Sequence, residues 1–124
     1  MRVLLSIKPE FAEMIFAGTK KFEFRRAVFR NPNVRTVVVY ASSPVQKVIG
    51  EFEIEKIIND QLEALWAQTK KYAGIDEISF FNYFSDKDSG YAIKIKNTKK
   101  YKKALCLRKD FKKSPPQSFM YLIQ

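Results

Sequence analysis

The sequence predicts an α+β domain, with a small curved mixed β-sheet or pseudobarrel of five or six strands flanked by two or three helices. Three observations lead to this class. Segments that alternate apolar and polar residues outnumber segments with helical periodicity, and most of them are joined by short turns. The chain has 124 residues, of which 46% are hydrophobic, enough for one ordinary core. We therefore expect a single domain over residues 1–124.

The first third of the chain predicts a strand, a helix and two more strands. Residues 2–8, RVLLSIK, alternate and are rich in β-formers. Residues 9–18, PEFAEMIFAG, begin with proline and end with glycine, as a short helix does. Period two returns in KKFEFRRAVF at 20–29, and RTVVVYAS at 35–42 is nearly all apolar. The last of these predicts a strand buried on both faces.

The remaining elements follow the same signals. KVIGEFEIEKII, residues 47–58, predicts a strand, and Gly50 within it predicts a bulge or a close backbone approach. Residues 59–84 have helical character, interrupted at Gly74, with a second helix beginning at Asp76. Three further strands are predicted, at 91–97 (YAIKIKN), 103–111 (KALCLRKDF) and 118–123 (SFMYLI).

The composition excludes several classes of site. The chain has no histidine and one cysteine, Cys106, so it cannot form a histidine-based triad, a classical zinc site or an internal disulfide. We expect no metal and no other cofactor. The apolar run at the N-terminus is too short for a signal peptide, and no stretch reaches the roughly 20 residues that span a bilayer. We therefore expect a cytoplasmic protein that does not associate with membranes.

Positive charge is concentrated at the two ends of the chain. Residues 1–35 hold eight Lys or Arg against three acids, residues 36–90 hold five against nine, and residues 91–124 hold ten against one. Ends that meet in space would form one positive surface suited to phosphates. The residues expected to contact an RNA backbone are Arg26, Lys99, Lys100, Lys102 and Lys103. A solvated coat of lysines is the alternative.

The stretch GTKKFEFRR, residues 18–26, carries more charge than a half-buried strand needs. If Phe22 and Phe24 face the core, then Lys21, Glu23 and Arg25 share the other face. Glu23 would lie between two cations and orient their donors toward a ligand. On this interpretation, replacing Glu23 with alanine weakens binding at little cost in stability. The alternative is a surface ladder of ion pairs worth about 0–1 kcal/mol each.

Four blocks of the chain resemble a known family. SIKPEFAEMIFAGTKKFEFRR, YASSPVQKVIGEFEI, GYAIKI and PPQSFMYL are similar to the PUA-like superfamily and, within it, to ASCH domains. The ASCH signature G-x-K-x-x-E-x-R is filled by Gly18, Lys20, Glu23 and Arg25. The resemblance covers nearly the whole chain as one PUA-like (ASCH) domain. It implies a pseudobarrel with a cleft beside the first helix that binds RNA or a nucleobase.

The resemblance and the strand geometry together give a set of candidate ligand-binding residues. They are Lys20, Lys21, Glu23, Arg25, Ser42, Ser43, Gln117 and Ser118. Three aromatic residues of the late strands, Tyr91, Phe119 and Tyr121, either stack on a base or belong to the core.

Two functions remain open at this point. The first is a module that binds RNA or a modified nucleobase, in keeping with a role in regulating transcription or translation. The second, implied by family members that deacylate N4-acetylcytidine, is a small amidohydrolase with Lys20 as nucleophile or base and Glu23 where the deacylases have threonine. A downstream acid would be Glu63, Asp76 or Glu77. RNA, a nucleoside or a nucleotide is the expected partner, together with a helix-turn-helix protein, and the oligomeric state is open.

Overall fold

The structure of the protein is a computed structural model that describes residues 1–123, within which it has six strands, four α-helices and one 3-10 helix. In chain order these are β1 (Arg2–Ile7), α1 (Pro9–Ala17), β2 (Phe22–Arg25), β3 (Thr36–Ala41), β4 (Lys47–Gln61), α2 (Leu62–Thr69), a 3-10 turn (Lys70–Tyr72), α3 (Glu77–Tyr83), β5 (Ser89–Leu105), α4 (Leu107–Phe111) and β6 (Phe119–Leu122). The predicted α+β class is confirmed.

The six strands form one mixed sheet in the order β2-β5-β4-β3-β1-β6. β1 and β3 pair in parallel, and α1 and β2 lie between them in the chain. All other neighbours are antiparallel. The strands predicted at residues 2–8 and 91–97 therefore belong to one sheet, although two other strands separate them.

The sheet is bent by irregular pairing along β4. Its register with β5 shifts in three places, and its register with β3 shifts at Val39 and Tyr40. One shift flanks Gly50, where a Cβ would lie 2.6 Å from the Lys99 carbonyl oxygen and 2.6 Å from the ring of Phe16. Gly50 therefore marks both a bulge and a close approach, which confirms the prediction.

A side chain connects the two sides of the curved sheet. Arg25 lies on the edge strand β2, yet its Nη2 donates to the carbonyl of Ser6 on β1 at 2.9 Å and its Nη1 to that of Ser118 at 3.5 Å. In the hydrogen-bonded order, β2 and β1 are separated by three strands. The curvature therefore brings β2 back toward β1 and the start of β6.

The buried side chains form three clusters. Alternate residues of β1 and β3 face opposite sides, so that Val37 packs with α1 in the first cluster and Val38 packs with α4 in the third. This confirms that β3 is buried on both faces. The second cluster joins Phe22 and Phe24 of β2 to α2 and α3 through Phe80 and Phe84. It forms one wall of the site described below.

The end of the chain differs from its predicted secondary structure. Residues 103–111 were expected to form one strand, but β5 ends at Leu105 and α4 begins at Leu107, so residues 1–123 contain four α-helices instead of two or three. The Asp110 carboxylate accepts from the backbone N–H of Cys106 at 2.8 Å, and the N–H of Asp110 donates back to the Cys106 carbonyl. Leu107 and Phe111, one turn apart, then face the third cluster together.

Candidate functional site

A cavity of about 580 Å³ opens between the end of β1, the start of α1, β2 and α3. Its walls combine polar, charged and aromatic side chains from segments far apart in sequence. The residues that line it are Ser6, Ile7, Lys8, Glu10, Phe11, Lys20, Glu23, Phe24, Arg25, Ile75, Ser79, Tyr83 and Gln117. A concave site with a few converging polar groups is the usual form of a ligand pocket.

Lys20 is the most deeply buried charged residue of this cavity, with 2% of its surface exposed. Its Nζ donates a hydrogen bond to the carbonyl of Ala73 and lies 5.0 Å from the ring centroids of both Phe11 and Phe24. The stem passes over Gly74, where a Cβ would lie 2.7 Å from the Lys20 Cγ and where φ is +72°. Glycine at position 74 therefore permits both the turn and the path of the lysine.

The surroundings of Lys20 alter its ionisation. Burial lowers the pKa of the Lys20 amine from 10.5 to about 8, and the nearby Glu23 carboxylate opposes this by raising it. Desolvation therefore outweighs the favourable charge pair. An amine with a pKa of about 8 is partly neutral near that pH. It can therefore serve as a hydrogen-bond donor, a base or a nucleophile.

Glu23 and Arg25 form a buried ion pair beside Lys20. Glu23 Oε2 lies 3.1 Å from Arg25 Nη2, and the two residues are 6% and 8% exposed. Because Arg25 also donates to the Ser6 and Ser118 carbonyls, its guanidinium is fixed in orientation. Its Nε is buried and has no hydrogen-bond partner in the described part of the chain. The pair presents a carboxylate acceptor and an arginine next to the lysine donor.

Helix α3 lines the cavity with Ser79 and Tyr83. Asp76 caps it by accepting from the backbone N–H of Ser79 at 2.7 Å, and this contact lowers the pKa of Asp76. The Tyr83 hydroxyl donates to the Phe24 carbonyl at 3.2 Å, and burial raises the pKa of the Tyr83 phenol. Arg26 donates to the carbonyls of Tyr83 and Ser85 and pairs with Asp86 at 2.9 Å. These contacts hold α3 against the end of β2.

Lys21 lies elsewhere, although the alternation argument placed it beside Glu23. It lines a second hollow of about 360 Å³, and its Nζ lies 4.4 Å from the ring centroid of Tyr72. β2 begins only at Phe22, and the backbone N–H of Lys21 is held by the Tyr72 carbonyl at 2.9 Å. Alternation therefore does not extend to Lys21, and the cation that flanks Glu23 together with Arg25 is Lys20.

The other candidate ligand-binding residues are divided between the cavity and the surface. Gln117 lines the cavity, and Ser118 contributes its carbonyl to Arg25. Ser42 and Ser43 lie in the turn after β3, and neither lines the cavity. Within residues 1–123, the structure thus brings together Lys20, Glu23, Arg25 and Gln117.

The lysines expected to contact an RNA backbone lie on the outer part of β5. Lys99, Lys100, Lys102 and Lys103 are all exposed, and none lines the cavity. Acidic residues of β4 lie beside this part of the strand, with Glu51 opposite Lys99 in the register. Arg26 is the exception in this set, because its guanidinium is engaged by α3 and Asp86.

Several cavity residues were not foreseen from the sequence. Phe11, Ser6, Ser79 and Tyr83 all line it. Ser6 lies in an alternating strand and Phe11 in an amphipathic helix, where they resemble ordinary surface and core residues, and Ser79 and Tyr83 reach the cavity only through the tertiary packing of α3. The aromatic residues considered for base stacking pack elsewhere: Phe119 and Tyr121 contact each other edge to face at 5.7 Å, outside the cavity lining.

Two observations concern other kinds of site. No group of three or more His, Cys, Asp or Glu side chains within the described chain is placed to hold a metal ion. The acids considered as a downstream catalytic group, Glu63, Asp76 and Glu77, do not line the cavity, whose carboxylates are Glu10 and Glu23. Among residues 1–123, no helix has the length and apolar character needed to cross a membrane.

Comparisons with known proteins identify relatives of the chain. A family model described as the ASCH domain matches residues 5–111. The crystal structure of ASCH from Zymomonas mobilis superimposes with a TM-score of 0.90 at 27% identity, covering 99% of this chain and 88% of that chain.

Curated relatives match over most of this chain but over less of their own length. An ASCH domain-containing ribonuclease from Zymomonas mobilis subsp. mobilis is 30% identical over 94 residues, covering 76% of this chain and 64% of that protein. Large ribosomal subunit protein uL22 from Ureaplasma parvum serovar 3 is 27% identical over 120 residues, covering 97% of this chain and 39% of that protein. The chain thus spans less than two thirds of the length of each.

Proposed function

The chain belongs to the ASCH domain family, and on that premise we propose that it is an RNA-binding module whose cavity receives one nucleotide of a single strand. Lys20, Glu23 and Arg25, the last three residues of the G-x-K-x-x-E-x-R motif, are the groups proposed to contact it. A regulatory role in transcription or translation, with a helix-turn-helix protein as partner, is a further part of this proposal.

The observation that carries the proposal is the convergence of Lys20, Glu23 and Arg25 on one cavity with aromatic walls. A base presents both acceptor and donor groups on its edge, and the three motif residues in the cavity offer two cationic donors and one carboxylate acceptor. Phe11 and Tyr83 contribute ring surface to the same space. Sequence-specific recognition of RNA uses unstacked bases in this way, with aromatic contact and edge hydrogen bonds.

Two other facts support RNA as the ligand. The net charge of +10 favours a polyanion. A relative with 30% identity is named as an ASCH domain-containing ribonuclease. Exposed cations on β5, at Lys99, Lys100, Lys102 and Lys103, would add contacts to the RNA backbone.

Neighbouring lysines give a matched test of the cavity. Lys20→Met and Lys21→Met each remove one positive charge, but only Lys20 lines the cavity. Binding of the nucleoside monophosphates of the four RNA bases is measured by calorimetry at about 50 mM salt. We expect Lys20→Met to abolish the binding seen with the native protein and Lys21→Met to retain it. Equal affinity of both variants, or no binding by the native protein, would overturn the proposal.

A second candidate function is catalysis, favoured by the Lys20 amine, whose pKa is about 8. A partly neutral amine can accept the proton of a ribose 2′-hydroxyl that attacks the adjacent phosphorus and displaces the 5′-oxygen, or it can attack an acyl group and release the nucleoside amine. RNA and N4-acetylcytidine are therefore the two substrates to test. Activity that rises with pH through about 8 and is lost in Lys20→Met supports catalysis; absence of turnover of both substrates leaves binding alone.

A further inference from the structure

The second hollow, which contains Lys21, has features of a site in its own right. Tyr72 lines the hollow and is 38% exposed. The Nζ atoms of Lys21 and Lys71 lie 4.4 and 5.6 Å from the Tyr72 ring centroid. Two ammonium groups are thus gathered at one ring, which attracts them through its quadrupole.

These two cations lack acidic partners. Within the described residues, neither Lys21 nor Lys71 makes an ion pair, whereas Lys94, which lines the same hollow, pairs with Glu55 at 3.0 Å. An anion bound beside the Tyr72 ring would provide both ammonium groups with a counter-charge.

The hollow adjoins the cavity through a shared wall. Lys20 and Lys21 are consecutive residues, so their Cα atoms are about 3.8 Å apart, yet Lys20 lines the cavity and Lys21 the hollow. The wall between them is the segment around Tyr72 and Ala73, whose carbonyls accept from the Lys21 N–H and the Lys20 Nζ respectively. The cavity and the hollow are therefore neighbours, separated by one backbone segment.

We propose that Lys21, Lys71 and Tyr72 form a second subsite, which binds the phosphodiester backbone of single-stranded RNA next to the nucleotide held in the cavity. The subsite rests on the proposed function for the identity of its ligand. It reads no sequence, because two ammonium groups recognise phosphate charge and not base edges. It makes the protein prefer an RNA chain over a single nucleotide.

The test compares two double variants with the same change in charge. Lys21→Gln with Lys71→Gln removes both cations of the subsite. Lys56→Gln with Lys70→Gln removes two exposed lysines that line neither the cavity nor the hollow. Binding of fluorescein-labelled octauridylate is measured by anisotropy from about 50 to 300 mM salt.

Loss of two phosphate contacts should reduce the magnitude of the slope of log K against log salt by about 1.4 and weaken binding at 50 mM salt by about 10- to 100-fold. The control variant should differ much less. Uridine monophosphate should bind the subsite variant as it binds the native protein. An effect on octauridylate no larger than that of the control would overturn the subsite and leave the proposed function standing.

A variant of the cavity separates the two proposals. If Lys20→Met leaves octauridylate binding intact while the loss of Lys21 and Lys71 weakens it, the proposed cavity function fails, and Lys21 and Lys71 bind the RNA backbone without a nucleotide in the cavity. If the native protein binds no octauridylate at 50 mM salt, both are overturned.

Discussion

Replacing Lys20 with methionine should change how the stability of the domain depends on pH. The Lys20 pKa is about 8 in the folded protein against 10.5 for an ordinary lysine. Each pH unit between the two values is worth about 1.4 kcal/mol, so folding the protonated lysine costs about 3 kcal/mol. Methionine has a similar length and carries no charge, so it removes this cost.

The sign follows from proton linkage. Below pH 8 both states hold the proton and the full cost is present. Between pH 8 and 10.5 the unfolded chain binds more protons than the folded protein, so stability rises with pH. The difference in unfolding free energy, native protein minus Lys20→Met, should therefore rise by about 2–3 kcal/mol between pH 7 and pH 10.

The assay is urea unfolding at several pH values, followed by the fluorescence of Trp66. This is the single tryptophan of the chain, and it packs against Phe80 at 5.0 Å.

Taking the difference in unfolding free energy between the two proteins removes the titration of groups they share. Comparing this difference at pH 7 and at pH 10 then cancels the pH-independent loss of the hydrogen bond to Ala73, worth about 1–3 kcal/mol if the carbonyl is left unsatisfied. Lys21→Met controls for the loss of one lysine. A difference that stays constant within about 0.5 kcal/mol, well below the shift worked out above, would refute the argument that burial dominates the ionisation of Lys20.

Three further substitutions test the walls of the cavity. Glu23→Gln should destabilise the domain by about 3–5 kcal/mol in urea unfolding, because the buried Arg25 loses its counter-charge; a cost below about 1 kcal/mol would favour the solvated ladder instead. Phe24→Ala should cost a similar 3–5 kcal/mol, since the ring packs on Phe80 at 5.1 Å, and a surface-like cost would contradict its assigned burial. Asp76→Ala should lower the melting temperature above pH 3.8 and lose that effect as the pH falls through the lowered pKa of Asp76, and an effect independent of pH would exclude the carboxylate cap.

The sheet could be predicted from local pattern because its strands alternate or are wholly apolar. β3 was predicted as buried on both faces, and it packs between the first and third core clusters. The helix at Leu107 was missed because KALCLRKDF alternates in part. Its conformation depends on the contact between Asp110 and Cys106 and on the docking of Leu107 against Leu4 and Val38.

The candidate site was predictable only in part. The motif identified Lys20, Glu23 and Arg25, which line one cavity, but Lys21 was placed on the wrong side of the wall because alternation was extended beyond the end of β2. The expectation that Glu23 could be removed at little cost overlooked its burial, which depends on the approach of β2 to β1. Tyr83 reaches the cavity only through the packing of α3, which no local pattern encodes.

Crystals grown with a short single-stranded RNA test the central claim most directly. The proposal predicts density for one nucleotide in the cavity, with polar atoms within hydrogen-bond distance of Lys20, Glu23 or Arg25 and a ring against Phe11 or Tyr83. RNA bound only along the β5 lysines, with the cavity empty, would contradict it.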